Sequence, residues 1–423
     1  MPGSASESRD PDSPAGAPPV RVRLVPDLLA CDLRWETSLA MFKRSPIRFL
    51  RAPRSSHTDA LAIQTIYADI ELLPFRQKVI DSLRSQKHAG RQIVLESDLP
   101  APLTQAIAEH LRLFDEVETV PPSPRKPRGS APALLRAMRP HQWLKNLLLL
   151  LPLILAHQVT DVRRLLLGIL AFFSMSFCAS AVYILNDLVD LSSDRRHAAK
   201  RHRPFASGQA SIPAGLFLAL SSLIVGLALG AVVSLRFEAM LLAYLVLTTA
   251  YTFWLKRRML IDVMILAGLY TGRIIAGAVA VDVQLTLWLL AFSMFLFLSL
   301  AFVKRYSELI HVEHAGGEDL AGRGYRVSDL RIIETVGPAS GYISVFVFCQ
   351  YLDSPMVRSL YARPQVLWLI APLLLYWVTR IWFVARRREL HQDPVVYAIA
   401  DRVSQLTGLL AVLTVFAAGP LRP

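Results

Sequence analysis

The sequence is 423 residues long, 53% hydrophobic and of mean hydropathy +0.39, values that exclude an ordinary soluble globule. Its net charge of +13 would suit nucleic acid. The lysines and arginines gather at the ends of apolar runs, however, as membrane orientation and the binding of anionic groups require, so nucleic acid is disfavoured as a partner.

In chain order, residues 1–19 are rich in Pro, Ser and Gly, lack an apolar core, and read as a disordered tail, not a signal peptide. Residues 20–118 alternate β-rich runs such as RQIVLES with helical stretches such as APLTQAIAEHLRLF, the pattern of a small soluble α/β domain. The prolines and charges of residues 119–132 mark a linker, and residues 133–423 form the membrane domain. There, apolar runs of roughly 17–25 residues recur, each long enough to cross about 30 Å of hydrocarbon as a helix. About nine spans are expected, near 144–158, 164–187, 213–235, 238–255, 260–281, 285–303, 338–352, 365–384 and 403–419. The fold class is therefore mainly α, a polytopic membrane helix bundle preceded by a small α/β domain. Loops after the even-numbered spans hold Arg195, Arg196, Lys200, Arg201, Arg203, Lys256, Arg257, Arg258, Lys304, Arg305 and Arg386 to Arg388. The opposite loops offer only Arg163, Arg164, Arg236, Arg358 and Arg363, which places the first set and the N-terminal domain on the cytosolic side of a plasma (inner) membrane. Cys31, Cys178 and Cys349 are widely separated and read as packing residues. The oligomeric state stays open, a homo-oligomer among the options.

The run AVYILNDLVDLSSDRRHAAKRHRPFASG begins inside the second span and ends in a basic loop. If the helix continues past Asn186, then Asn186, Asp190 and Asp194 stack at i, i+4 and i+8 on one face, with Asp187 about 100° around. Mg2+ takes oxygen ligands and commonly binds one or two carboxylates, leaving substrate phosphates to supply further oxygens; Asn186, Asp187, Asp190 and Asp194 are the expected metal ligands. An ionised residue near the bilayer centre costs about 2.5–3.5 kcal/mol on insertion scales, so acids that start within a span require a cavity, a partner or an ion. Lys200, Arg201 and Arg203 are placed to hold phosphate oxygens that the metal leaves free. The competing structural reading is that the acids cap the helix and pair with neighbouring arginines.

Lys145 and Asn146 in MRPHQWLKN, Lys256 after the fourth span, Arg273 inside the fifth, and KRYSEL (Lys304, Arg305, Glu308) after the sixth are expected to complete one cytosol-facing cavity. Arg273, between LAGLYTG and IIAGAVA, must face the bundle interior or water. Its structural alternative is an ion pair with Asp262.

These residues resemble the UbiA superfamily of intramembrane prenyl-group enzymes, whose first aspartate-rich motif, N-D-x-x-D-x-x-x-D, stands here from Asn186 to Asp194. RPHQWLKN, YTFWLK, GRIIAGAVA, KRYSEL and ADRVSQL are together similar to the decaprenyl-phosphate phosphoribosyltransferases of that superfamily, over nearly all of residues 133–423. Aromatic prenyltransferases of the superfamily carry a second acidic motif between the fourth and fifth spans, whereas KRRMLIDVMILAGLYTGRIIAG offers only Asp262. The resemblance implies transfer of 5-phosphoribosyl from phosphoribosyl pyrophosphate to a polyprenyl phosphate; the alternative is prenyl transfer from a prenyl diphosphate to an aromatic or other acceptor. It also implies Mg2+ as cofactor and Asp187, Asp190, Asp194, Lys200 and Arg203 as the catalytic set. Lys145, Asn146, Tyr183, Arg201, Lys256, Arg273, Lys304, Arg305 and Glu308 would contact substrate.

Residues 20–118 resemble the haloacid-dehalogenase-like domain fused ahead of related membrane domains, Ser97 fitting its second motif. Arg23 and Val25 stand where the nucleophilic and acid–base aspartates belong, and without a carboxylate nucleophile no phosphoaspartate forms. The expected domain is degenerate and catalytically silent, with Asp27 and Asp32 as surface or capping acids.

Overall fold

The computed structural model describes residues 18–44, 70–121, 130–197, 200–320, 322–390 and 393–419. Most of the expected tail (1–17) and linker (122–129) lies outside them. The chain divides into two compact units, Met1–Met138 with Tyr183–Leu220, and Arg139–Val182 with Ser221–Pro423. The acid-rich segment thus groups with the N-terminal domain.

In the first unit, β1 (Val20–Arg23), α1 (Leu33–Arg44), α2 (Gln77–His88), β2 (Ile93–Ser97), α3 (Ala101–Leu111) and β3 (Glu116–Thr119) follow in order. The strands form an all-parallel sheet, β1-β2-β3, with Val20 opposite Ile93 and Val94 opposite Glu116. Parallel neighbours need crossover connections, which is why helices separate the strands in the sequence. The central strand is buried along most of its length, and Ile93, Leu95, Leu103 and Ile107 close the core beneath it. On the edge strand Arg21 and Arg23 reach out to Glu96, and Arg21 also to Glu118. This unit also takes in a short helix, Ala131–Ala137, the end of α4 (Val162–Val189) from Tyr183 on, α5 (Leu191–Arg196), the basic loop and the start of α6 (Ile212–Val233).

The second unit is helical: the earlier part of α4, the later part of α6, α7 (Leu235–Phe253), α8 (Ile261–Val281), α9 (Leu287–His314), α10 (Leu330–Leu352), α11 (Ile370–Arg386), α12 (Pro394–Ala400) and α13 (Arg402–Ala418). Among the described residues six helices are long and apolar enough to cross a membrane, and α12 with α13, bent by 75°, makes a seventh if the pair is one span. The expected spans at 144–158 and 238–255 are helical but do not meet that test. The first falls on a 3-10 stretch, Pro140–Leu150, and a short helix, Leu151–Leu155; the second is α7, whose first turn carries Arg236 and Glu238. Outward faces are apolar, with Val246 70% and Phe416 71% exposed, as a hydrocarbon surround requires. Inside the bundle, small residues let backbones approach. A Cβ at Gly277 would stand 2.1 Å from the carbonyl oxygen of Leu149, so only glycine lets the 3-10 stretch lie on α8. That contact sets Asn146 and Arg273 side by side.

Candidate active site

The acidic motif does not sit on one unbroken helix. α4 ends at Val189 and α5 begins at Leu191, with Asp190 between them at φ −91° and ψ 11°. The i to i+4 pattern survives the break, because the Asp190 N–H donates to the Asn186 carbonyl and the Asp194 N–H to the Asp190 carbonyl, both at 2.8 Å. Asp187 and Asp194 are buried, and both accept from Arg203 Nη1, at 3.1 and 2.7 Å. Lys200 and Arg201 are exposed on a 3-10 turn, Lys200–His202. Among the described residues no group of three or more acids, histidines or cysteines is gathered to hold a metal ion. The donor set still fits Mg2+, since two carboxylate oxygens converge on one cationic atom, and one or two carboxylates suffice where phosphates and water supply the remaining ligands.

The loop that brings Arg203 to the acids is fixed locally. Arg195 Nε donates to the Ala206 carbonyl at 3.1 Å, and the Ser207 hydroxyl to the Arg203 carbonyl at 2.9 Å. Gly208 has φ +71°, and a Cβ there would meet the Ala30 Cβ at 2.7 Å.

A second polar cluster lies in the helical unit. Lys145 on the 3-10 stretch and Lys304 on α9 bind the same oxygen of Asp393, at 2.8 and 3.0 Å, while the Tyr270 hydroxyl donates to the other at 2.9 Å. Asp393 also caps α12, accepting from the Val395 N–H. Burial would raise its carboxyl pKa, but Lys304 and Lys145 outweigh that and hold it well below the usual carboxylate range. Arg273, on α8, donates to Asn146 Oδ1 at 2.9 Å, to the Tyr244 hydroxyl at 2.8 Å and to the Leu269 carbonyl at 2.7 Å. Its guanidinium lies over the rings of Tyr244 and Tyr270, and Asn146 is anchored by Ser176. Lys145, Lys304 and Arg273 set against Asp393 leave two positive charges in excess, an environment suited to a phosphate.

This cluster opens on apolar space. A cavity of about 360 Å³ is lined by Leu144, Leu148, Ile274, Phe297, Trp377 and Val395, which includes sequence neighbours of Lys145, Arg273 and Asp393. Through Leu151, Leu289 and Phe292 it adjoins a second, of about 470 Å³, that reaches His157 and Tyr361.

A third cluster gathers around Asp262. Arg305 is fully buried with Asp262: its Nε lies 2.5 Å from Asp262, its Nη1 pairs with Glu308, and Arg323 bonds Asp262, Tyr251 and Glu308. Two arginines and two acids cancel, so Arg305 and Glu308 sit in a locally neutral network, with Arg305 fully buried and Glu308 34% exposed. Asp262 does take an arginine partner, but the partners are Arg305 and Arg323; Arg273 bonds neutral groups. Lys256 occupies the 3-10 turn Leu255–Arg257, and Tyr183 lies on α4. Sequence reasoning missed Asp393, Tyr270 and Tyr244. The Asp-Pro step ahead of an apolar helix is an N-cap signal that could have pointed to Asp393.

The model of the UbiA prenyltransferase family matches residues 147–417. The chain belongs to the UbiA prenyltransferase family. This UbiA protein is an integral membrane protein. It is 36% identical over 297 residues to the uncharacterized protein y4nM of Sinorhizobium fredii, covering 70% of this chain and only 57% of that relative's length. It is 36% identical to nodulation protein NoeC of Azorhizobium caulinodans, over 63% of this chain and 86% of NoeC. It is 29% identical to decaprenyl-phosphate phosphoribosyltransferase of Mycobacterium tuberculosis, over 72% of this chain and 99% of that enzyme. Among solved structures, a UbiA homolog from Archaeoglobus fulgidus bound to GPP and Mg2+ shares the fold, with TM-score 0.50 at 16% identity over 67% of this chain and 99% of the other.

Proposed function

We propose that this UbiA protein transfers 5-phosphoribosyl from phosphoribosyl pyrophosphate to a polyprenyl phosphate at the cytosolic membrane face, where its N-terminal domain also lies. The observation that carries the reading is the fate of Asp262. It is the single acid in the segment where a second metal motif would be needed for a prenyl diphosphate, and Arg305 and Arg323 neutralise it. One acidic motif remains, enough for one diphosphate. The similarity to a decaprenyl-phosphate phosphoribosyltransferase supports the same donor and acceptor.

Asn186, Asp187, Asp190 and Asp194 would hold Mg2+, which when bound neutralises charge on the departing pyrophosphate. Arg203, already between Asp187 and Asp194, turns its guanidinium to the diphosphate oxygens, and the exposed Lys200 and Arg201 add charge there or at the 5-phosphate. Lys145, Lys304 and Arg273 would hold the polyprenyl phosphate head while the adjoining apolar cavity takes the start of its chain. That phosphate is already anionic near neutral pH, so it attacks the anomeric carbon without a general base once oriented.

The test is purified protein in detergent with Mg2+, phosphoribosyl pyrophosphate and polyprenyl phosphate, the lipid product identified by mass. Phosphoribosylated lipid is expected, with turnover lost at least about 100-fold in Asp190→Ala, since even indirect metal supports are worth 10–100-fold. A protein that ignores phosphoribosyl pyrophosphate but consumes prenyl diphosphate with an aromatic acceptor would replace the reading with ordinary prenyl transfer.

A further inference from the structure

The N-terminal sheet domain holds one buried contact that reaches the acidic segment. Arg195, next to Asp194, is clasped by Glu36 of α1 through two bonds, Nη1 to Oε2 at 2.8 Å and Nη2 to Oε1 at 2.6 Å, and both side chains are more than nine-tenths buried. The third donor of the same guanidinium, Nε, holds the Ala206 carbonyl, three residues beyond Arg203. One planar group therefore ties α1 to both limbs of the segment that brings Arg203 against Asp187 and Asp194. Gly208 adds a second tie, its backbone flush against Ala30. A buried ion pair is weak as a source of stability compared with an apolar pair of the same volume, but its fork geometry fixes direction.

We propose that Glu36 is a positioning residue, and that the silent N-terminal domain acts as a clamp which sets the spacing of Asp187, Asp194 and Arg203 for a metal-bound diphosphate. The clamp rests on the metal and diphosphate reading above. Glu36 touches no reacting atom; it acts through Arg195. Losing its charge frees the 191–208 segment, so the acids lose their convergence while the lipid-phosphate residues keep theirs.

The experiment compares the full-length wild type, Glu36→Gln, and the double variant Glu36→Leu/Arg195→Met, which keeps volume and removes the buried charge. Hydrogen exchange of peptides covering residues 187–208 is expected to quicken at least tenfold in Glu36→Gln, with peptides from α9 to α11 unchanged. Binding of Mn2+ together with inorganic pyrophosphate, followed by electron paramagnetic resonance, is expected to weaken about tenfold in Glu36→Gln. Partial recovery is expected in the double variant, and the KM for polyprenyl phosphate should stay within twofold throughout. A purely structural pair would lower yield and thermal stability at unchanged Mn2+ affinity, and that result, or unchanged exchange across 187–208, overturns the clamp. If the wild type itself binds no Mn2+ with pyrophosphate, the metal reading falls, and the exchange data still decide whether Glu36 orders the segment.

Discussion

Asp393 offers the most discriminating perturbation. Its carboxylate neutralises Lys145 and Lys304 through one oxygen and takes the Tyr270 hydroxyl on the other, with 7% of its side chain exposed. Asp393→Asn keeps the shape and removes the charge, so three cations, Arg273 included, face one another with no anion. Removing one partner of a buried ion pair costs about 3–5 kcal/mol. A ligand phosphate that occupies the same cluster returns part of this, about 2.7 kcal/mol at a hundredfold excess over its Kd. In SDS-titration unfolding the variant should therefore be less stable than wild type by about 3–5 kcal/mol without lipid. It should also gain more than wild type from polyprenyl phosphate, because no internal carboxylate competes for the lysines. Equal gains in the two proteins would mean that lipid phosphate does not meet Lys145 and Lys304, and the assignment of that cluster would fail.

Arg305→Met leaves the buried Asp262 with Arg323 as its remaining cationic partner among the described residues and should cost up to about 3–5 kcal/mol of stability, while turnover per folded molecule and the KM for either substrate stay near wild type; a large KM change would place Arg305 at the substrate site. Gly208→Ala forces a side chain onto a φ of +71° and into Ala30, so the loop should loosen by about 1–3 kcal/mol, read as faster exchange of residues 200–210 and weaker pyrophosphate binding. Burial first, and the Glu36 carboxylate second, push the Cys31 thiol well above its ordinary value. Because the thiolate is the reactive form, alkylation of Cys31 in a Cys178→Ser/Cys349→Ser background should stay slow at pH 8 and rise only at more alkaline pH. Glu36→Gln should move that rise toward neutral pH, and alkylation at pH 8 as fast as that of an exposed cysteine would contradict the raised thiol pKa.

What the sequence made legible was set by local rules. Long apolar runs predict helices wherever hydrocarbon is the solvent, and alternating short strands and helices predict a parallel sheet, as at Ile93–Ser97. The acidic motif was visible because charges inside an apolar run are costly and therefore conspicuous. What stayed hidden depends on partners far apart in the chain. Nothing near Arg305 announces that Asp262 and Arg323 will neutralise it, and nothing near Lys145 announces Asp393, 248 positions later in the numbering. The break at Asp190 escaped because propensity through LNDLVDLSSDRR runs on without a proline or glycine to stop it. The expected span at 144–158 illustrates a related point: apolar composition alone does not reveal that a segment such as Pro140–Leu150 winds as a 3-10 stretch.

The apolar cavity beside Lys145 and Asp393 has a bearing on how finely the proposed lipid acceptor could be discriminated. At about 360 Å³ it has the volume of a site for one small organic ligand, a few isoprene units at most, and its neighbour of about 470 Å³ adds only as much again. A long polyprenyl tail must leave that space and dissolve among the surrounding acyl chains, where added units contribute equally before and after reaction. For the proposed acceptor, these two cavities reach the head group and the first units, and the remaining length is left to whatever lipid the membrane supplies.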